Sequence, residues 1–511
     1  MYAVIYPMEV NRWGLFEFSC KTEIKGNPFT DQFLEGTFTS THEQKRVAGF
    51  YDGEGVFKVR FMPSFAQQYS FVIHFRDEED SFCSSFKVLS AEMGNHGPVR
   101  VANTFHFAYE DGTPYLPIGT TCYVWELQNE VLQKQTLETL KESAFNKIRF
   151  CLLPKHYDYN LSEPRSYPYE GTPCDSSVLN SENFNQYTGC ATGNDWDFSR
   201  FNVEHFQHIE KSILALQKQG IEADLIVMHP YDRWGFSSMT KKQDNLYWKY
   251  VLARFSAYRN VWWSLANEYD LMETKSISDW EQYAQLICEL DPYGHLRSIH
   301  NCGSFYDYSR PWITHCSIQR QDPYKCAEYV DQWRAQFKKP IVLDEIGYEG
   351  NIQHGWGNLS GKELTRRFWE AACRGGYGGH GETFFRKDRI LWWSHGGCLH
   401  GESPDRIKFL KKIMEETSSV GLRFHQMHWD ELCCIPDTFS SQNKTIQDKY
   451  VFYYGFNRPS FRKYHIDDTT EFVVEVIDTW EMTIENRGTF SGDFTIELPA
   501  KEYMAVRLSI V

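Results

Sequence analysis

Short apolar runs separated by turn residues open the chain: LFEFS, EGTFTS, GVFKVRFMP and YSFVIHF. Their alternating apolar and polar positions, with glycines between them, predict a small Ig-like antiparallel β-sandwich over residues 1–97. The segment EMGNHGPVRV (92–101) carries Gly94, Gly97 and Pro98 and reads as a linker into a second domain. From about 105 to 420 the pattern changes, and short buried-type runs alternate with stretches of helical period. The candidate strands are YLPIGTT (115–121), KIRFCLLP (147–154), EADLIVMHP (222–230), VWWSLANE (261–268), LRSIHNC (296–302), ITHCSIQ (313–319), PIVLDEIG (340–347) and YGGHGETFF (377–385). Between them, Val203, Phe206, Ile209 and Ile213 recur at helical spacing, as do Trp280, Tyr283, Ala284, Ile287 and Leu290, and again Tyr329, Trp333 and Phe337. Eight β units interleaved with helices predict a (β/α)8 TIM barrel, of the α/β class, over residues 98–420. A doubly wound open sheet is the competing topology; it lacks the glycine-rich fingerprint after its first strand. After the helical stretch DRIKFLKKIMEE, the runs KYVFYYGF, EFVVEVIDTW, FTIELP and YMAVRLSIV predict a small C-terminal β-sandwich over 421–511.

Composition narrows the partners. The net charge of -15 argues against nucleic acid, whose phosphates would be repelled, and neither a basic block nor a run of eighteen apolar residues points to a membrane. Fourteen cysteines without regular spacing suit reduced thiols and a cytoplasmic location better than a disulfide framework. The N-terminal MYAVIYPMEVNRWGLFEFS reads as the first strands of a domain and not as a signal peptide. The aromatic content is high (16 Trp, 30 Tyr, 37 Phe); such residues fill large cores and also stack on the C–H faces of sugar rings.

A TIM barrel carries its chemistry at the C-terminal ends of its strands. Reading only those positions yields Trp125 after the first strand, His156 after the second, and His229, Tyr231, Asp232 and Trp234 after the third. The fourth strand ends in Asn267 and Glu268, the fifth in His300, the sixth in Gln319, the seventh in Glu345 and the eighth in His380. Two carboxylates on opposite sides of a barrel fit glycosidic cleavage. One protonates the leaving oxygen, and the other attacks the anomeric carbon or activates water.

VWWSLANE followed by PIVLDEIG resembles glycoside hydrolase clan A, the retaining TIM-barrel glycosidases. With YLPIGTTCYVW, FNKIRFCLLP and the three-part domain order, the chain is similar to apiosidase-like bacterial glycosidases. That resemblance implies Glu268 as acid/base, Glu345 as nucleophile and Asn267 as partner of the sugar 2-hydroxyl. It further implies an enzyme that takes an oligosaccharide or glycoside and needs neither cofactor nor metal. Two departures stand out. Clan members often place a Tyr after strand six, where this chain has Gln319, with Tyr308 and Tyr324 as alternatives. Strand eight lacks the usual Trp, and the loop RILWWSHGGCLHGES offers Trp392, Trp393 and His395 as a lid or subsite wall.

Three rival readings are weaker. The groups His425/His428, Cys433-Cys434 and His229/Asp232 are incomplete as metal sites. No GxSxG elbow supports a serine hydrolase. A non-catalytic carbohydrate-binding protein would keep the aromatic walls but lose one carboxylate. The flanking sandwiches are expected to cover the barrel or to build a homo-oligomer interface. The long segment 155–200, too long for an ordinary barrel loop, is expected to shape a pocket for terminal cleavage.

Overall fold

The computed structural model describes residues 3–75, 81–174, 193–320, 322–442 and 444–511. The N-terminal part forms two facing sheets. One orders strands Ala3–Ile5, Phe16–Lys21, Val56–Phe61 and Phe50–Tyr51; the other orders Glu9–Asn11, Ser81–Leu89, Gln68–Phe75, Leu34–Thr39 and Gln44–Ala48. Every second residue of Phe16–Lys21 points inward, so Phe16, Phe38, Phe61, Phe71 and Phe86 meet as one aromatic core.

The centre is an eight-stranded parallel barrel: β1 (Gly119–Thr121), β2 (Lys147–Cys151), β3 (Glu222–Met228), β4 (Val261–Ala266), β5 (Arg297–Ser298), β6 (Cys316–Gln319), β7 (Ile341–Glu345) and β8 (Tyr377–His380). Hydrogen-bonded neighbours run β5-β4-β3-β2-β1-β8-β7-β6, and a parallel bridge between His300 and Ser317 closes the circle. The strands are covered on both faces; β4 reads as an apolar run, VWWSLA, whereas β1 is GTT, β2 KIRFC and β8 YGGH. Helices α1 (Glu130–Glu142), α2 (Val203–Lys218), α3 (Lys241–Phe255), α4 (Ile277–Leu290), α5 (Val330–Phe337), α6 (Gly361–Cys373), the short α7 (Trp392–His395) and α8 (Ser403–Thr417) follow in order. The fifth strand has only two residues, and residues 299–315 join it to β6 without a helix.

The barrel interior is partly polar. On β2, Lys147 and Arg149 alternate inward; Lys147 donates to Asp224 (2.6 Å) and Asp344 (2.7 Å), and Ser317 donates to Asp344 as well. Buried charge is tolerated here because each group is paired. One layer above, at the C-terminal end of the strands, Arg149 reaches the candidate site.

The C-terminal part is a six-stranded sheet ordered Leu422–Phe424, Leu432–Pro436, Lys449–Tyr453, Met504–Ile510, Phe472–Asp478 and Thr483–Phe490, with a two-stranded sheet of Phe461–His465 and Asp493–Glu497. The expected class, a TIM barrel between two β domains, is the architecture observed. Of the long segment 155–200, Tyr169–Thr172 pairs antiparallel with Asp195–Phe201, whereas 175–192 lie outside the described residues. Among the described residues no helix is long and apolar enough to cross a membrane.

Candidate active site

A cavity of about 490 Å³ opens at the C-terminal end of the barrel, within the range of small-molecule sites. Its walls include both candidate carboxylates, Glu268 and Glu345, with Tyr123, Tyr231, Gln319 and Lys155 around them. Tyr157, Tyr348, Trp356 and Trp393 form one aromatic side. Tyr157 lies 6.1 Å from the Trp393 ring, and Trp356 lies 5.2 Å from it. Gly381, just past β8, makes room for this wall: a Cβ there would stand 2.4 Å from the Tyr348 ring.

Glu345 ends β7 and is gripped from three strands. The Tyr123 hydroxyl donates to its Oε1, Arg149 Nη1 donates to the same oxygen at 3.1 Å, and His300 Nε2 stands 3.4 Å away. Burial alone would raise its pKa, but His300, Arg149 and Tyr123 outweigh that and hold the carboxyl well below the usual range. A bulge near the end of β6 sets Gln319 opposite Glu345 in register.

Glu268 follows β4 in a left-handed backbone conformation (φ 49°), an uncommon state for a residue with a Cβ. Tyr231 donates to its Oε2, Asn267 Nδ2 approaches the same oxygen at 3.3 Å, and Gln319 Nε2 donates to Oε1 at 2.7 Å. Burial, followed by the negative charge of Glu345, raises its pKa to about 7. The two carboxyls of one cavity are therefore pushed in opposite directions, one to keep its proton and the other to lose it. Asn267 ties the halves together, accepting from Arg149 Nη2 at 2.8 Å while donating to Glu268.

The sequence-selected residues divide by position. Glu268, Glu345, Tyr231, Gln319 and Trp393 line the cavity, and Asn267 and His300 stand directly behind the carboxylates. The others require correction. Trp125 turns into the core, edge-on to Phe150 at 5.9 Å. His156 is buried beside Trp234, itself packed against Tyr167 and Phe236. His229 contacts the Leu153 carbonyl (3.1 Å), and Asp232 accepts from the backbone of Trp234 and Ser237, so both brace the rim. His380 stacks on Phe145 below the cavity, with Thr120 Oγ1 3.1 Å from its Nδ1. Trp392 donates to Thr120 Oγ1 (2.8 Å), and His395 accepts from the Leu391 amide, so these two anchor α7 while Trp393 faces the cavity.

Neither alternative tyrosine supports Glu345. Tyr308 is buried against Ile299 and Ser317 carbonyls, and Tyr324 is 81% exposed. The supporting hydroxyl comes instead from Tyr123, after the first strand. Tyr123 and Lys155 stand at the strand ends read in the sequence but were passed over for Trp125 and His156, and Arg149, inside β2, was missed by reading strand ends alone. The inward alternation of Lys147 and Arg149 on β2 was the available signal, because a charge inside a barrel needs a partner. Among the described residues no group of His, Cys, Asp and Glu is arranged to hold a metal.

Comparison with known proteins follows the same division of the chain. The profile of the apiosidase-like catalytic domain matches residues 102–420, and two domains of unknown function, DUF5060 and DUF5605, match 9–76 and 429–509. A crystal structure of a provisionally named glycoside hydrolase from Bacteroides vulgatus is 35% identical, covers 99% of this chain and 100% of its own, and superposes with a TM-score of 0.89. An endo-beta-1,4-mannanase from Thermotoga petrophila is 13% identical over 75% of this chain and 91% of its own, with a TM-score of 0.40. No curated protein matches.

Proposed function

The chain belongs to the apiosidase-like catalytic domain family and has a glycoside hydrolase fold, and from that premise we propose that it is a retaining glycosidase acting by double displacement. The observation that carries this reading is the opposed tuning of two carboxyls on one cavity. Ionised Glu345 attacks the anomeric carbon while Glu268 passes its proton to the departing oxygen, giving a glycosyl ester and a free alcohol. Glu268, now ionised, takes a proton from water as that water displaces Glu345 and returns the sugar as a hemiacetal. Asn267, held by Arg149, is positioned for the sugar 2-hydroxyl, and Gln319 and Tyr231 orient the acid.

The aromatic wall of Tyr157, Trp356 and Trp393 favours a terminal sugar, so the action is exo, on plant-derived oligosaccharides. We place the enzyme in the cytoplasm, where its unpatterned cysteines stay reduced and its substrates arrive imported. The chain divides at residues 97 and 420, and its sandwich domains are the surfaces through which copies would pair.

A sugar-release screen on plant oligosaccharides and aryl glycosides tests the reading, with wild type beside Glu345→Gln and Glu268→Gln. Release that collapses in both variants, with the first product retaining configuration by NMR, is expected. Binding without cleavage, equal in all three proteins, would return the site to a carbohydrate-binding protein.

A further inference from the structure

Lys155 has no part in the double displacement, yet it lines the cavity. It follows β2 and is 3% exposed. Its ammonium sits among four rings, with Nζ 3.3 Å from the centroid of Tyr123, 4.3 Å from Tyr231, 4.7 Å from Trp393 and 5.8 Å from Tyr157. Among the described residues it forms no ion pair within 4.0 Å. The other cations at the cavity have partners: Arg149 has Glu345, Arg320 has Asp322 (3.5 Å), and Arg367 has Glu363 (2.7 Å).

Aromatic faces attract a cation but carry no net negative charge. They leave the charge uncompensated and the three N–H donors without a strong acceptor. Glu345 is paired with Arg149, and Lys155 is left with no carboxylate at ion-pair distance among the described residues, Glu268 and Glu345 acting on it only from farther off. Burial depresses the Lys155 pKa to about 8, against the opposing pull of Cys151, Glu268 and Glu345. Position within the cavity says which part of a substrate would meet it. Its nearest ring belongs to Tyr123, the donor to Glu345, and the next to Tyr231, the donor to Glu268. Nζ therefore stands between the two carboxyls and closer to the ring on the Glu345 side, where the glycone would bond. The leaving-group side lies beyond Gln319, which donates to Glu268 and opens into a separate recess bounded by Gly303, Phe305 and Arg320.

We infer that Lys155 is the specificity residue of the glycone subsite and that the sugar cleaved there carries a carboxylate, as in a hexuronic acid. A monoanionic carboxylate matches the single unpaired charge and accepts the open N–H donors in a short, charge-assisted contact. The inference rests on the glycosidase reading for the assignment of sides, but its binding test is independent of turnover.

The probes are thio-linked, hydrolysis-resistant 4-nitrophenyl glycosides in both anomers: glucuronide against glucoside, and galacturonide against galactoside. Calorimetric titration of the wild-type protein below pH 7, where Lys155 is charged, should give at least about tenfold tighter binding of one uronide than of its neutral partner. The preference should shrink with added salt, vanish in Lys155→Met and survive in part in Lys155→Arg. Equal binding of the neutral partner, a preference untouched in folded Lys155→Met, or no uronide binding overturns the inference. Turnover of the oxygen-linked set separates the two claims. Lys155-dependent uronide binding with no glycoside hydrolysed leaves this inference and removes the glycosidase; hydrolysis of neutral glycosides without uronide binding does the reverse.

Discussion

Tyr123 and Arg149 converge on a single oxygen of Glu345, so the proposed nucleophile is ionised by donors and not by exposure to water. A hydrogen bond to a charged acceptor contributes about 1.5–3 kcal/mol, so Tyr123→Phe should lower kcat by roughly ten- to a hundredfold. Its pH profile should move as well. Glu345 must be ionised to attack, and losing a donor raises its pKa, so the acidic limb of kcat/KM shifts to higher pH. The opposite limb belongs to Glu268. Its pKa is raised to about 7, and it must carry its proton to act, so kcat/KM should fall as pH rises through about 7. In Glu268→Gln that limb disappears from whatever activity remains toward aryl glycosides with good leaving groups. A basic limb unchanged in that variant would assign the proton to another group. Glu268 and Glu345 were legible in the sequence because each ends a strongly apolar run. Tyr123 and Lys155 were not, since a lone aromatic or lysine after a strand has many ordinary explanations. The seven aromatic and histidine candidates that face away from the cavity, with Asp232, show the converse: a position near a strand end does not fix which way its side chain turns.

The barrel strands were legible from mostly apolar runs where both faces are buried, as in β3, β4 and β7, and elsewhere from their alternation with stretches of helical period. The break between β5 and β6 was not. LRSIHNC has a strand's composition, but only Arg297–Ser298 is extended in the ladder, and His300 and Asn301 turn their side chains to Ser317 and to the Gln319 carbonyl. Element α7 is the other local surprise. The amides of Tyr123 and Val124 donate to the carbonyls of Trp393 and Ser394, and the Trp392 indole donates to Thr120, so the expected lid is pinned to the first strand. Thr120→Val keeps the shape but leaves that buried indole N–H without its acceptor. Stability to denaturant should fall by about 1–3 kcal/mol. KM should rise as Trp393 loses its support, with the pH limbs unmoved because neither carboxyl is touched. An unchanged KM would mean that α7 holds Trp393 without the Thr120 contact.

At the scale of the whole chain, the order of β, α/β and β parts was legible from the change of hydrophobic period, but the joints between them were not. They are made by residues far apart in sequence. Arg60 of the N-terminal sheet meets Glu210 on α2, and Arg254 on α3 meets both Glu210 (2.6 Å) and Asp52. At the other end Asp437 accepts from Arg334 Nη2 (2.7 Å) and lies 2.9 Å from His106 Nε2, joining the short strand His106–Tyr109, α5 and the C-terminal sheet. The two joints differ in their apolar part. The N-terminal sandwich has an aromatic core largely its own. The C-terminal sheet has a core of its own on one face, around Phe452, Phe472 and Val506, but its other face joins the barrel's core, where Leu432, Cys434, Val451, Tyr453 and Ala505 cluster with barrel residues and Tyr453 stacks on Trp369 of α6 at 5.3 Å. Ending the chain after residue 420 would therefore expose the outer face of α6 and leave Arg334 and His106 buried without Asp437, a combination of lost apolar burial and unpaired charge. Such a truncation should fail to give a folded barrel, seen as lost near-ultraviolet circular dichroism and dye binding to exposed apolar surface. Intact chain, by the same reasoning, should unfold its barrel and C-terminal sheet in one calorimetric transition. A truncated protein that melts cooperatively at the wild-type temperature would show that the shared cluster adds area without adding cooperativity.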